Sequence, residues 1–481
     1  MNFKKKKLGS KKLDLQRLIE LQKIYQKDLR RNYIVGNTIG IIAVILIFLV
    51  AVGFFIKFPK IDLAGTIMKN IVGESASNFA QEKGDTKNIL IVGRGGDLND
   101  APNLTDTIIL AKVDSENKFV TMLSIPRDLW VKYPTGGAGK INAVYQSALA
   151  KNGGDTDEGM KKLESKIEEI TGETIDNYIN IDFRGFISIV DSVGGVDINV
   201  PQKLVDTEYP DFNWGYQTLT VDAGLQHMDG SLALKYARSR HSTNDFDRSL
   251  RQQLVIQAIK EKVTSLGYLA NPFKIKSLYL AIKQNITTDL GVSDMISLAL
   301  LAKQVEKNNI FSFNLNDSCF YGADNCQRGG FLYTPPRTDF AGASVVIPNT
   351  ATSSKVSDYS DILRFTNVIF NYPQIFAQND TINIFNSTKV SGLATLWGNF
   401  LTKYGFAIPE KDSVGNTSGV KYDKSIIFYN NLAEDSKTLE ALKLFYLQTE
   451  FKKVEKPMYS TDPSTKIEII IGKDYKSYKM Y

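Results

Sequence analysis

Cysteine and histidine are scarce in this sequence, since its 481 residues contain only two of each. His227 and His241 stand apart from any Cys-x-x-Cys pair, so a structural zinc site lacks its usual ligands. Cys319 and Cys326 lie seven positions apart, which leaves open whether they form a disulfide or remain two free thiols. A Gly-Lys-Ser/Thr loop, internal repeats and low-complexity tracts are also missing, which excludes a nucleotide P-loop enzyme and a repeat architecture.

One long stretch, residues 34–56, has no ionisable side chain. Its 23 residues would reach about 34 Å as a helix, enough to cross a hydrocarbon core of about 30 Å. Residues 1–33 carry eleven basic and three acidic side chains, a net charge of +8. Because basic flanks stay inside, we predict a cytoplasmic basic tail (1–33), an uncleaved transmembrane helix (34–56) at the cell membrane, and an extracytoplasmic body.

The positive charge is confined to this tail. The whole chain carries +6, so the residues after position 33 sum to −2. A short basic tail beside a membrane span suits anionic lipid headgroups, and the exterior body has no excess of basic charge for binding phosphate backbones. We therefore expect the membrane as a partner, and no nucleic acid.

Short apolar runs alternate with helical patterns along the exterior part, which predicts an α/β fold. Composition predicts a stalk over residues 57–85 and a first domain over 86–350, whose main motifs lie in 86–262. A linker (351–379) and a small second α/β domain (380–473) are predicted to follow. The predicted strands of the first domain are 88–92, 107–113, 119–125, 178–181 and 196–200, and its predicted helices are 143–150, 159–170, 186–193 and 248–263. The second domain is predicted as strand 381–385, helix 392–404, strand 424–428, helix 436–450 and strand 466–471.

Polar side chains follow the ends of the first strands. Arg94, Asp97 and Asp100 lie in a Gly-rich turn, where backbone N–H groups can face a phosphate. Asp106 opens an otherwise apolar strand and is either a turn cap or a hard-cation ligand. Arg127 follows the proline that ends the third strand, and either reaches across the sheet or pairs locally with the next aspartate.

A cluster of arginines is the strongest chemical signal. Arg238 and Arg240 are two positions apart and would share a face of an extended segment, whereas Arg248 and Arg251 are three apart and would share a face of the following helix. Arginine makes planar bidentate contacts with phosphate, and a helix N-terminus adds to the attraction. Four arginines on a plain solvated surface are the alternative. Together with Arg127 and the carboxylates, the pattern favours a site for a dianion with a bound divalent metal ion.

Six stretches in this order resemble the LytR–CpsA–Psr family over roughly residues 86–262. They are NILIVG, LTDTIILAKVD, LSIPRDLWV, KINAVYQ, DSVGGVDINVP and YARSRH followed by DFDRSLRQQ. INIFNSTKVSGLA and KYGFAI resemble the LytR C-terminal domain over about 380–473. The resemblance implies a central mixed sheet flanked by helices, a hydrophobic groove for a polyprenyl tail, and a pyrophosphate and Mg²⁺ (or Mn²⁺) site at the mouth of that groove.

The resemblance also implies a reaction: transfer of a glycan phosphate from a polyprenyl pyrophosphate carrier to a hydroxyl group of peptidoglycan. Carried over by motif, Asp106 is the metal ligand or base, and Arg127, Arg238 and Arg240 grip the phosphates. The residues implied to line the same site are Arg248, Arg251, Gln252 and Asp245.

The sequence departs from the family pattern at two places. Leu104 stands where the family usually has a phosphate-binding arginine, for which Arg94 is a candidate replacement. The upstream acidic metal ligand has two candidates, Asp97 and Asp100. Two other functions stay open at this point: a lipid-pyrophosphate hydrolase, and a non-enzymatic wall-binding or regulatory membrane protein.

Overall fold

The structure is a computed structural model, and most of the residues that it describes belong to the two predicted domains. It describes residues 86–98, 101–211, 215–239, 251, 254–255, 258–259, 261–262, 286–291, 294, 298, 301, 305–306, 309–317, 330–351, 356–378, 380–409, 413–430, 433–434, 436–446 and 449–478. Within these ranges no helix has both the length and the apolar character that crossing a bilayer requires. The predicted span at 34–56 lies outside the described residues.

A six-stranded mixed sheet forms the centre of the first domain, in the order β11-β6-β1-β2-β3-β12. The strands up to residue 350 are β1 (Thr86–Arg94), β2 (Thr105–Asp114), β3 (Phe119–Ser124), β4 (Trp130–Lys132), β5 (Ala138–Lys140), β6 (Asn177–Ile181), β7 (Val196–Val200), β8 (Leu204–Pro210), β9 (Tyr216–Val221), β10 (Gly224–Met228), β11 (Ile286–Thr288), β12 (Ile310–Asn314), β13 (Leu332–Tyr333) and β14 (Ile347–Pro348). The helices of this part are α1 (Val144–Lys151), α2 (Thr156–Thr171), α3 (Phe183–Ser192) and α4 (Gly230–Arg238). The predicted mixed sheet with flanking helices is therefore confirmed.

The directions of the strands bring the ends of four of them together at one edge of this sheet. β1 runs parallel to β6, and β3 runs parallel to β12, whereas β2 is antiparallel to both β1 and β3. The carboxyl ends of β1, β3 and β6 and the amino end of β2 consequently meet at the same edge. We call it the site edge, because Arg94 and Asp106 lie on it.

The sheet strands are buried on both faces, in keeping with their continuous apolar runs. Leu90, Val92 and Leu110 pack into one core cluster, and Ile89 and Ile91 point into another on the opposite face. Helix α2 covers the first cluster. It begins after Asp155, whose carboxylate accepts hydrogen bonds from two first-turn N–H groups, and it ends at Gly172 with φ +73°.

The partly buried Glu164 on α2 gives folding stability a pH dependence. Burial, followed by the charges of Asp289 and Glu168, raises the pKa of Glu164 to about 7. The folded state therefore favours the protonated carboxyl, and this stabilisation is complete below the ordinary pKa of about 4.5 and is lost as the pH rises through about 7. We expect Glu164→Gln to raise the free energy of unfolding at pH 8 by about 1 kcal/mol, allowing for partial exposure. Thermal unfolding at pH 4 and pH 8 measures this difference, which should nearly vanish at pH 4 and be absent at both pH values for Glu450→Gln.

The second domain is built on a five-stranded sheet in the order β16-β15-β19-β17-β18. Its strands are β15 (Ile382–Asn386), β16 (Val414–Asn416), β17 (Ile426–Tyr429), β18 (Glu450–Lys453) and β19 (Ile467–Ile471), and the helices from residue 360 onward are α5 (Ser360–Asn371), α6 (Ile375–Gln378), α7 (Leu393–Lys403) and α8 (Lys437–Leu442). The predicted helix over 436–450 is wrong in its second half, because α8 ends at Leu442 and Glu450 already belongs to a strand paired with β17.

A buried helix crosses the segment predicted as a linker. Helix α5 turns Ile362, Phe365 and Val368 inward, each at most 2% exposed, and they join a single core cluster that extends from the first sheet into the second domain. The Thr366 hydroxyl donates to the carbonyl of Thr171 at the end of α2. Phe365 stacks on Phe331 with ring centroids 4.4 Å apart. The two domains are thus joined by continuous apolar packing through this helix.

A nearly buried ion pair lies in the same junction. Lys403 of α7 donates from Nζ to Oδ2 of Asp361 at 2.6 Å, and the hydroxyl of Tyr404 donates to Oδ1 at 2.9 Å. The Lys403 ammonium also lies 4.9 Å from the ring centroid of Phe331, which belongs to the first domain. Burial lowers the pKa of Lys403, and the charge of Asp361 opposes this effect. Asp361 is therefore the group that keeps Lys403 charged.

We expect Asp361→Asn to lower the free energy of unfolding by about 3 kcal/mol, because it leaves a buried ammonium group without its counter-charge. Chemical denaturation monitored by tryptophan fluorescence measures this loss. Asp423→Asn is the matched control, since Asp423 pairs with Lys473 on the surface and its side chain is 86% exposed. Equal midpoints for the two variants would contradict a stabilising role of the junction pair.

Candidate active site

Asp106 sits on a β-bulge at the site edge. Gly93 of β1 pairs with Thr107 of β2 and Arg94 pairs with Thr105, so Asp106 is the extra residue between two paired positions. A Cβ on Gly93 would lie 3.0 Å from the Cβ of Thr107, so any larger residue would push the Thr107 side chain away. A bulge redirects the side chain of its extra residue and is common beside active sites. The carboxylate of Asp106 is consequently 38% exposed although its strand is otherwise buried.

Two groups hold one oxygen of this carboxylate. Arg127 donates from Nη1 to Oδ1 of Asp106 at 3.1 Å, and the Asn142 side-chain amide donates to the same oxygen at 3.3 Å. Arg127 reaches across the edge of the sheet, as one of its two sequence interpretations predicts, and it also lies 3.6 Å from Asp128. Asn142 belongs to a 3₁₀ turn that precedes α1. Arg127 and Asp106 are 37% and 38% exposed, so both can meet a ligand.

Arg94 forms a second polar group at the neighbouring strand end. Its Nε donates to Oδ1 of Asn180 at 3.3 Å, and its Nη2 lies 3.4 Å from Oδ2 of Asp182. Asp182 also caps α3 by accepting from the N–H of Gly185 at 2.8 Å. Burial raises the pKa of Tyr145, and the charge of Arg94 opposes this rise, which indicates that Arg94 acts close to the start of α1.

Arg238 ends helix α4 beside the start of α3. Its guanidinium lies 4.1 Å from the ring centroid of Phe183, the residue after Asp182. Burial raises the pKa of Tyr209, and the charge of Arg238 is the first effect that opposes it. This stacking holds the guanidinium plane in a fixed orientation. Arg238 therefore adjoins the Arg94 group through consecutive residues of the chain.

Arg251 lies behind this part of the site and is only 5% exposed. It donates from Nε to the carbonyl of Tyr236 at 3.1 Å and from Nη2 to the carbonyl of Ser239 at 2.5 Å. These bonds hold the carboxyl end of α4, which carries Arg238. The geometry favours a positioning role for Arg251.

In the described part of the chain, the other predicted site residues do not take part in the contacts around Asp106, Arg94 and Arg238. Asp97 has a side chain that is 78% exposed, and its Oδ2 lies 3.8 Å from Nη2 of Arg184. The residues Asp100, Arg240, Asp245, Arg248 and Gln252 lie outside the described residues, so their predicted roles stay predictions.

Sequence reasoning overlooked four residues that the structure places at the site edge: Asn142, Asn180, Asp182 and Phe183. Asn142 was visible only as part of a motif at a helix start, and its contact with Asp106 spans 36 positions. Asp182 resembles an ordinary helix cap, which it also is. Its second role depends on the parallel pairing of β1 with β6, which no local pattern reveals.

The carboxylates of the described residues meet part of what a magnesium ion requires. Among the described residues no group of three or more His, Cys, Asp or Glu could hold a metal ion. Magnesium, however, is commonly bound by one or two carboxylates together with substrate phosphates and waters. Asp106 offers a partly exposed carboxylate, and the hydrogen bonds recorded from the described residues reach only its Oδ1. The chemistry fits an ion that the protein shares with a phosphorylated substrate.

Two family models match the chain. One, described as the LytR_cpsA_psr family, matches residues 60–340, which is more than half of the 481 residues. The other, described as LytR cell envelope-related transcriptional attenuator, matches residues 380–475. The two matches contain the strands of the six-stranded and the five-stranded sheet. Helix α5 lies between the two matched ranges.

Several curated proteins and solved structures are similar to this chain. The cell wall biosynthesis protein LcpA of Corynebacterium glutamicum is 30% identical over 262 residues, which cover 50% of this chain and 48% of that protein. The polyisoprenyl-teichoic acid–peptidoglycan teichoic acid transferase TagV of Bacillus subtilis is 27% identical over 293 residues, covering 59% and 71%. A crystal structure of B. subtilis TagV has 23% identity and a TM-score of 0.41, and the match covers 60% of this chain and 98% of that one. The chain spans about half the length of LcpA and of a second similar protein of the same organism, the probable cell wall biosynthesis protein LcpB.

Proposed function

The chain belongs to the LytR–CpsA–Psr family and ends in a LytR C-terminal domain, and on this premise we propose that it attaches a cell-wall glycopolymer to peptidoglycan. The donor in this proposal is a polyprenyl-pyrophosphate-linked glycan, and the acceptor is a hydroxyl group of peptidoglycan. Relatives named as teichoic acid transferases acting on peptidoglycan support the reaction class. The observation that carries the proposal is the bulged Asp106 with Arg127 and Asn142 at one end of the sheet.

Phosphoryl transfer is catalysed mainly by positioning and by neutralising charge on the group that moves. In the proposed reaction the acceptor oxygen forms a bond to the glycan-linked phosphorus, the bridging P–O bond breaks, and polyprenyl phosphate leaves. Arg127 lies beside Asp106, and Arg94 and Arg238 line the adjoining strand and helix ends. Their guanidinium groups can take the negative charge of a pyrophosphate in planar, charge-assisted contacts.

Asp106 has two chemical tasks open to it. As a general base it would take the proton of the acceptor hydroxyl, while Arg127 and Asn142 hold the carboxylate in place. It would also hold Mg²⁺ (or Mn²⁺), with Asp97 or Asp100 as the second protein ligand, and the bound ion would neutralise charge on the phosphates. Arg240, Arg248, Gln252 and Asp245 complete the predicted substrate-binding set, whereas Arg251, predicted to belong to it, is buried against backbone carbonyls and positions Arg238 instead.

The proposed place of action is the outer surface of the cell membrane. A single span at 34–56 with its basic tail inside would keep the enzyme beside a lipid-linked donor in the outer leaflet. Such an anchor restricts enzyme and donor to one thin layer, which raises their encounter rate.

A transfer assay tests the function. The full-length chain in detergent is incubated with a polyprenyl-pyrophosphate-linked glycan, Mg²⁺ and a soluble peptidoglycan fragment, and the products are separated by mass. A glycan–peptidoglycan conjugate together with polyprenyl phosphate is the expected result. Free sugar phosphate without conjugate would instead identify a hydrolase, and donor binding without turnover would identify a non-enzymatic wall or regulatory protein.

A further inference from the structure

A buried carboxylate on strand β8 contacts the segment that follows helix α4. Asp206 is only 1% exposed, although aspartate is rarely buried unless its charge is matched. Its Oδ1 accepts a hydrogen bond from the backbone N–H of Glu208 at 3.1 Å, and its Oδ2 accepts one from the Ser239 hydroxyl at 2.6 Å. A hydroxyl bond of that length is typical of an ionised carboxylate. Asp206 therefore brings a negative charge to Ser239, which lies 33 positions further along the chain.

An irregularity in β8 keeps a second side chain on the same inward face. Strict alternation along the strand would turn Glu208 to the same side as Asp206. The register between β8 and β9 shifts between Asp206 and Tyr209, so Glu208 is exposed and Tyr209 is buried instead. Burial raises the pKa of Tyr209, whereas the charge of Arg238 and a hydrogen bond from it act to lower this pKa. Strand β8 thus contacts two consecutive residues, Arg238 through Tyr209 and Ser239 through Asp206.

Each polar group of Ser239 is hydrogen-bonded. The N–H donates to the carbonyl of Lys235 at 3.1 Å, and the carbonyl accepts from Nη2 of Arg251 at 2.5 Å. The hydroxyl donates to Asp206, and Ser239 as a whole is 1% exposed. The opposite charges of Asp206 and Arg251 therefore meet on one buried residue, from its side chain and from its backbone. A buried polar network with its bonds satisfied is rigid, so the backbone directly after Arg238 is fixed.

We propose that Asp206 and Ser239 are positioning residues for Arg238. The pyrophosphate that Arg238 would bind rests on the proposed function, whereas the anchor behind Arg238 rests on the contacts of Asp206 and Ser239. Both of these residues are too deeply buried to touch a substrate themselves. The Arg238 guanidinium lies over the ring of Phe183, and Ser239 holds the backbone at the other end of the same side chain. Planar contacts with phosphate depend on orientation, so a displacement of about 1 Å would weaken them severely.

We expect Ser239→Ala to raise the Kd for farnesyl pyrophosphate at least about tenfold, because the backbone that carries Arg238 loses its anchor. Calorimetry measures this Kd on the full-length chain in detergent with Mg²⁺. Farnesyl pyrophosphate is a short polyprenyl pyrophosphate without a glycan, so its binding does not depend on the transfer step. Ser387→Ala is the matched control, since Ser387 is 7% exposed and its hydroxyl donates to the carbonyl of Ile471 at 2.7 Å in the second domain. Its Kd should equal that of the wild type.

A double-mutant cycle separates positioning from a general loss of stability. In an Arg238→Ala background, Ser239→Ala should raise the Kd by less than about threefold, because the group that Ser239 positions is gone. An equal loss in both backgrounds would overturn the proposal, and so would a wild-type Kd in Ser239→Ala. Asp206→Asn should follow Ser239→Ala, since asparagine keeps the shape of the side chain and removes its charge. If one of these two variants does not fold by circular dichroism, the other supplies the same comparison.

Conjugate formation by the wild type distinguishes this proposal from the proposed function. If Ser239→Ala weakens farnesyl pyrophosphate binding only where Arg238 is present, yet the wild type forms no conjugate, the proposed function fails and the positioning role stands. If the wild type forms the conjugate and Ser239→Ala binds farnesyl pyrophosphate as tightly as the wild type, the positioning role fails alone.

Discussion

Asp106→Asn is expected to lower the rate constant of glycan transfer at least about a hundredfold, while the protein folds normally. Asparagine has nearly the same shape and can still accept the hydrogen bonds that Arg127 and Asn142 donate to Oδ1. The substitution removes the negative charge, and with it the capacity to take a proton or hold a divalent ion. The measurement is kcat in the conjugate assay over a range of Mg²⁺ concentrations.

Affinity for the donor lipid separates the chemical step from binding in this variant. If Asp106 acts only as the base, loss of its charge beside Arg127 should leave pyrophosphate binding unchanged or make it tighter, so kcat falls and KM does not rise, whereas loss of a metal ligand would raise KM as well. Asp222→Asn removes the same charge from an exposed ion pair with Lys203 and serves as the control. A wild-type kcat in Asp106→Asn would show that the bulged carboxylate takes no part in the reaction.

Arg238→Ala is expected to reduce kcat/KM by about a thousandfold, because it removes both a phosphate-binding charge and the group that stacks on Phe183. Arg238→Lys should retain part of the activity, since lysine keeps the charge but loses the planar guanidinium. The graded order wild type, lysine, alanine identifies a phosphate contact. The same loss is predicted for Arg240→Ala from the sequence motif.

Arg337→Ala provides the comparison for this series, because Arg337 is an exposed arginine on the 3₁₀ helix Arg337–Phe340 and is not one of the predicted site residues. Unfolding midpoints of all variants should agree within about 2 °C, because Arg238 is a partly exposed side chain at the last position of α4. Equal kcat/KM in Arg238→Ala and wild type would remove Arg238 from the site.

The elements of the sheet were predictable because their signals are local. The apolar run at 88–92 lies inside β1, and the runs at 107–113 and 178–181 lie inside β2 and β6. Turn residues bound each run, and a fully buried strand needs no other sequence feature. The predicted helix over 436–450 failed for a nonlocal reason. Phe445 packs on Phe400 and Tyr404 of another helix, and such packing overrides the helical propensity of the segment.

The candidate site was predictable only where a charged residue stands out beside an apolar run of the sequence. Asp106 opens an otherwise apolar run and Arg127 follows the end of another, and the structure joins the two side chains at 3.1 Å. The bulge that exposes Asp106 depends on the register between β1 and β2, which the sequence does not display. Asp182 and Phe183 look like a helix cap and an apolar first-turn residue, and they acquire contacts with Arg94 and Arg238 only through the tertiary fold.

Helix α5, which joins the two domains, determines whether the second domain could be removed without harm to the first. A chain cut after residue 350 would uncover Phe313, whose ring now meets Phe365 edge to face, and Phe331, whose ring stacks on Phe365. The resulting exposed hydrophobic patch would favour aggregation of the shortened protein. The C-terminal domain of this protein is therefore not a detachable accessory. A descendant that lost it would also need polar replacements on the catalytic side before the shortened enzyme could remain soluble.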